Sequence, residues 1–207
     1  GIGIPEFGTS FVRKMLSETK PKSFNELIIL SGLSHGTGVY RGNSRELILN
    51  QGKKMQDVIG CRDDIMLFLI RKGLSNKDAF DIMEFIRKGM IEHKPSQWET
   101  YVQKMQEHGV ENWWIDSSSK INYLFPKAHA TAYVMMAWRV AWFKVYYPLE
   151  YYATLFTLRC DAFDIEVISK GAEYVLEKYK TLKSAYSKNK SSLTAKEIDL
   201  LKTLEMC

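Results

Sequence analysis

The sequence predicts an all-α chain, an irregular multi-helix domain of about 8–11 helices with one Gly-rich loop. Three observations lead there. Apolar residues recur mostly at spacings of three and four, β-branched alternation is scarce, and Gly or Pro interrupts the chain at intervals suited to helices of moderate length. With 207 residues, 45% hydrophobic and 13% aromatic, the chain can bury one sizeable core or two small ones.

Apolar spacing places the first helices over 9–17, 23–31 and 44–51. The next covers 63–72, with Asp63 and Asp64 in its first turn, where the helix dipole favours negative charge. Neighbouring residues on a helix point about 100° apart, so these carboxylates do not converge on a metal ion. Ser75 is a natural N-cap for 76–88, and Arg87 and Lys88 suit its carbonyl end, with Gly89 as the C′ residue. Pro95 opens 96–108, and His108 before Gly109 closes it. Helices at 111–124, 127–146 and 149–159 follow. Asp161 reads as a turn residue and Asp164 as the N-cap of 164–188; Thr194 caps 194–205. From about residue 180 the composition turns to Lys, Ser and Thr, as in a solvated helix end and linker.

The exception is Gly32 to Asn43, GLSHGTGVYRGN, where four glycines in twelve residues read as a loop able to approach a ligand closely. Ser34, His35 and Thr37 suit contact with a base or sugar there, and an ordinary surface loop fits the same pattern. The Lys-Ser/Thr ending of a P-loop is absent.

The charge balance is +5, with pI about 8.9, a moderate basic bias compatible with a polyanionic partner. Cys61, Cys160 and Cys207 are far apart with no CxxC pair, which suggests neither a disulfide framework nor a zinc site and fits a reducing, cytoplasmic setting. Arg139 and Lys144 interrupt the most apolar stretch, so no membrane span is read, and no signal peptide. A start without Met and an end within a helical pattern suggest a piece of a longer protein.

FPKAHATAY, residues 125–133, carries the most chemistry. Pro126 fits a first helical position, and the N–H groups beyond it point out of the helix end with partial positive charge. Lys127 and His129 added to those dipoles make a cradle for a phosphate chain, and Tyr133 one turn on offers a ring and a hydroxyl. The plainer alternative has Lys127 solvating the helix end, His129 as a core histidine and Tyr133 as packing. Trp98, Trp113, Trp114, Trp138 and Trp142 read as core or interface residues.

GIPEFGT, SGLSHGTGVYRGN, VIGCRDDIM and FPKAHATAYVMMAWRVAWFKVYYPLEYYA resemble, in order and spacing, the fingers region of the PolC-type bacterial DNA polymerase III α subunit, a C-family polymerase. The looser KxHAxAY core is also similar to the fingers helix of DnaE-type α subunits. The resemblance implies a fingers domain over 1–175 and, over 176–207, a linker and the start of a duplex-binding domain. It implies template-directed addition of deoxynucleotides to a primer end, with two Mg²⁺ held by aspartates of a palm outside this sequence. The chain alone is then not expected to be active and carries no cofactor of its own.

For dNTP binding, the resemblance puts Lys127, His129, Arg62, Arg87 and Lys88 toward the triphosphate. It puts Tyr133, Phe125 and the loop Ser34, His35 and Gly36 toward base and sugar. Gly38 and Arg41 depart from the family's usual residues, which are Asp and an apolar residue. The implied partners are dNTP, template-primer DNA, the palm and duplex-binding domains, and a sliding clamp reached through regions outside this sequence. Two other readings are a non-catalytic helical single-stranded nucleic-acid-binding domain and a protein-interaction domain. Both leave the joint presence of GLSHGT and PKAHATAY unexplained.

Overall fold

The computed structural model describes residues 1–207, residue 190 by its backbone alone. Among the described residues there are twelve α-helices and no strand. The first seven are α1 (Ser10–Thr19), α2 (Phe24–His35), α3 (Arg45–Leu49), α4 (Arg62–Arg71), α5 (Asn76–Arg87), α6 (Pro95–Glu107) and α7 (Asn112–Ser119). The remainder are α8 (Lys127–Tyr146), α9 (Pro148–Leu158), α10 (Ile165–Ile168), α11 (Ala172–Lys188) and α12 (Ala195–Met206). No helix among the described residues is long and apolar enough to cross a membrane.

The chain forms two compact units, Ser10–Met136 and Gly1–Thr9 together with Ala137–Cys207, and the division falls within α8. In the first, Met15, Leu30, Ile65, Ile82, Met105 and Trp114 are fully buried. In the second, Val167, Val175, Leu182, Leu200 and Leu204 make a smaller core around Ala162. Lys144 Nζ donates to the Ile2 carbonyl at 2.7 Å and the Tyr151 hydroxyl to that of Gly3 at 2.5 Å, tying the first residues to this unit.

Several helices begin where the local chemistry requires. Ser23, Ser75, Asp164 and Thr194 each accept an N–H three residues on, and Glu197 closes a reciprocal capping box with Thr194. The helix expected over 164–188 is two, because Gly171 at φ +89° lies in the left-handed region and breaks the run between α10 and α11. The helix expected over 111–124 stops at Ser119, since the following residues are drawn into extended pairing. There the Thr37 N–H donates to Tyr123 at 3.0 Å and the Asn122 N–H to Thr37 at 2.9 Å.

The Gly-rich segment also differs from its expectation, because Gly32–His35 complete the last turn of α2 rather than opening a loop. A Cβ on Gly32 would stand 2.3 Å from the Gly60 carbonyl oxygen, so this glycine serves helix packing. The irregular part is Gly36–Asn43, ending in a kinked turn where Arg41, Gly42 and Asn43 leave helical geometry.

The 127–146 helix, the most apolar stretch of the sequence, is largely uncovered. Only Ala130, Val134 and Ala137 are buried, a narrow stripe at helical spacing, while Met136 (58%), Trp138 (53%) and Trp142 (45%) are exposed. Apolar composition alone does not say which faces of a helix are covered.

Candidate functional site

Five of the ten residues singled out in the sequence meet on one face of the first unit. The His35 ring stacks on Phe125 with centroids 4.9 Å apart and planes 16° apart. Phe125 meets His129 edge-on at 4.5 Å, and His129 lies 4.3 Å from Tyr133. His35, Phe125, His129 and Tyr133 thus form a continuous ladder, and all but the half-buried Phe125 are exposed. Exposure sets aside the core-histidine alternative for His129. Ser34 is the fifth. Its hydroxyl donates to the Ser31 carbonyl at 2.8 Å and lies 3.0 Å from His35 Nδ1, which itself lies 2.8 Å from the same carbonyl. A carbonyl can only accept, so Nδ1 carries the proton.

Gly36 is the backbone that lets the ladder form. Its N–H closes α2 on the Gly32 carbonyl at 3.1 Å, and a Cβ there would lie 2.4 Å from a Val39 methyl and 2.9 Å from the Tyr123 oxygen. Thr37 pairs next with Tyr123, two residues before Phe125, so the turn and the approach to α8 are held edge to edge.

Arg62 opens α4 and its N–H donates to the Phe125 carbonyl at 3.1 Å. This bond brings the amino end of α4 to the residue two places before α8. Two helix origins, each with partial positive charge, therefore converge. Their compensation comes from residues read in the sequence only as local helix-end charges. Asp63 accepts the Lys127 N–H at 2.8 Å and so caps α8 from another helix. Asp64 accepts the N–H groups of Gly60 and Cys61 at 3.2 and 2.8 Å and the Lys127 ammonium at 3.0 Å.

Lys127 is consequently already partnered. Partial burial by itself depresses its ammonium, but the hydrogen bond to Asp64 and the charges of Asp64, Cys61 and Asp63 outweigh it, and the net shift is upward. Desolvation, reinforced by Asp64, pushes the Cys61 thiol up to about 12, so it is not a nucleophile at neutral pH. The ammonium lines a groove of about 240 Å³ with Gln56, Asp64, Arg71 and Trp114. His129, roughly 200° around the helix from Lys127, turns to the ladder instead. The structure thus joins His129 to Phe125 and Tyr133 but faces Lys127 the other way.

Arg87 and Lys88 share one carboxylate. Arg87 donates to both oxygens of Glu84 at 2.5 and 2.8 Å, and the Lys88 ammonium lies 3.0 Å from Oε2. These hydrogen bonds hold the Glu84 carboxyl down at about 2. Gly89 just beyond sits so close to Asn122 that a Cβ would lie 2.7 Å from its carbonyl oxygen, which places the end of α5 beside the extended segment. Among the described residues no group of three or more His, Cys, Asp or Glu side chains could hold a metal. Asp63 and Asp64 are engaged by N–H and ammonium donors, so they do not fit a two-metal centre.

The family model described as "Bacterial DNA polymerase III alpha subunit finger domain" matches residues 1–109. The chain is 54% identical over 98% of its length to the DNA polymerase III PolC-type of Mycoplasmopsis pulmonis. It is 52% identical over 96% to that of Halalkalibacterium halodurans and 50% identical over all of its length to that of Bacillus cereus. In each case it spans 14% of the relative's length.

Proposed function

We propose, from the premise that this chain belongs to the finger-domain family of the bacterial DNA polymerase III alpha subunit, that its ladder face receives the incoming dNTP and the templating base during nucleotidyl transfer. The observation that carries this reading is the stack from His35 through Phe125 and His129 to Tyr133, beside two converging helix origins. Flat rings support stacking on a base, at roughly 1–3 kcal/mol each in single-strand binders. Helix origins with Lys127 and Arg62 support binding of phosphate oxygens, and His129 adds a donor on the ladder side.

In this reading Lys127 exchanges partners. The triphosphate competes with the Asp64 carboxylate for the ammonium, which swings out of its groove toward the ladder side, while the dipoles of the two helix starts stay in place. Arg87 and Lys88, held by Glu84, supply a more distant positive field near Tyr123. Ser34 and Gly36 shape the turn that keeps His35 against the base side.

Residues 1–175 form the fingers in this assignment, and 176–207 lead into a duplex-binding domain. The complete polymerase acts on template-primer DNA, with Mg²⁺ bound by residues outside this chain, with its palm and duplex-binding domains as neighbours and a sliding clamp as partner. The 207 residues alone do not polymerise. The test is Lys127→Ala in the complete polymerase. Loss of a charge-assisted bond of about 1.5–3 kcal/mol lowers the efficiency of dNTP use roughly 10- to 150-fold. Unchanged single-nucleotide incorporation kinetics would overturn the assignment.

A further inference from the structure

We infer that Asn43 is a positioning residue for this face, an inference that rests on the nucleotide reading above. Asn43 is 3% exposed and sits in the kinked turn after the glycines. Its Nδ2 donates to the Gly38 carbonyl at 2.8 Å and to the Ser117 carbonyl at 2.9 Å, and its Oδ1 accepts from the Ser117 hydroxyl at 2.6 Å. Ser117, 2% exposed, lies near the end of α7. Two carbonyls on one side and a hydroxyl on the other fix the amide's orientation, since a flip would set oxygen against oxygen.

This side chain ties the two strips of backbone from which the ladder is built. Gly38 lies against Lys120 so closely that a Cβ would come within 1.9 Å of its carbonyl oxygen. Thr37 pairs with Asn122 and Tyr123 just beyond, and two further residues reach Phe125, on which His35 stacks. Asn43 thus bolts the glycine turn to the end of α7 immediately before the segment that aims Phe125. Its hydrogen bonds go to Gly38 and Ser117, and through them it holds the spacing between His35 and Phe125. A buried amide with its bonds made stiffens such a joint, and one that loses donors leaves two carbonyls unpaired.

Asn43→Asp keeps the shape and removes both donors. In the 207-residue chain, hydrogen exchange at the Thr37, Asn122 and Tyr123 amides is expected to quicken roughly 10- to 100-fold, while the core amides of Ile65 and Ile82 hold their rates. In the complete polymerase the same change raises KM for dNTP about 10-fold with kcat and primer-template affinity unchanged, a split that general destabilisation does not produce. Ser117→Ala, which keeps both donors of Asn43, gives a smaller effect in the same direction and carries the comparison if Asn43→Asp does not fold. Unchanged exchange at Thr37 and Asn122 in both variants would overturn the joint itself. Faster exchange with an unmoved KM would leave the joint standing and overturn its service to a nucleotide, which separates this failure from that of the Lys127 test.

Discussion

Gly38 illustrates how much one residue's geometry decides. Its φ of +72° lies in the left-handed region, and the Lys120 carbonyl oxygen occupies the space a Cβ needs. Gly38→Ala is therefore expected to destabilise the chain by more than about 1 kcal/mol, through backbone strain and the clash together. The thermal midpoint should fall by at least about 2–4 °C, with the Thr37–Tyr123 pairing lost first. A midpoint equal to that of the parent chain would refute the close approach. Such a demand is visible in the sequence only as glycine enrichment. That enrichment read as readiness to meet a ligand, and the partner at Gly38 is the chain's own Lys120.

At the scale of elements, legibility followed sequence distance. The caps by Ser75, Asp164 and Thr194 could be read because donor and acceptor lie three residues apart. The cap of α8 could not, since Asp63 and Lys127 are 64 residues apart. Gly171 does not announce the break between α10 and α11, because the pattern on either side is helical and one glycine costs a helix only about 1 kcal/mol. The carbonyl end of α5 offers a test with a pH axis. Glu84, held at about 2 by Arg87 and Lys88 against an ordinary 4.5, contributes stability that is present above pH 4.5 and is lost as pH falls through 2. Glu84→Gln should lower the melting temperature at pH 7 and lower it far less near pH 2. A difference that persisted undiminished at the acid end would argue against the ion pair as its source.

For the whole molecule, the all-α class and the nearness of His35, Phe125 and Tyr133 were legible, whereas His129, expected beside Lys127, joins those rings instead, and the distribution of exposed apolar surface was not legible. In the second unit Trp142, Phe143, Tyr146, Tyr147 and Leu149 stand 45–79% exposed, side by side where α8 passes into α9. Adjacent exposed aromatic rings of this kind mark a surface suited to cover by another molecule. The isolated chain should self-associate with rising concentration, in the range of roughly tens of micromolar and above. Sedimentation velocity checks this, and the double change Trp142→Ser, Phe143→Ser should shift the distribution toward monomer. A parent chain that stays monomeric throughout would contradict it.

Arg62 is bonded to Phe125, and Lys127 to both Asp63 and Asp64, so neither α4 nor α8 owns its opening turn outright. A helix that supplies its own cap can fray alone, at a cost set locally. These two cannot. Loosening the first turn of one strips bonds from the other, so the fraying of each is coupled to that of its neighbour.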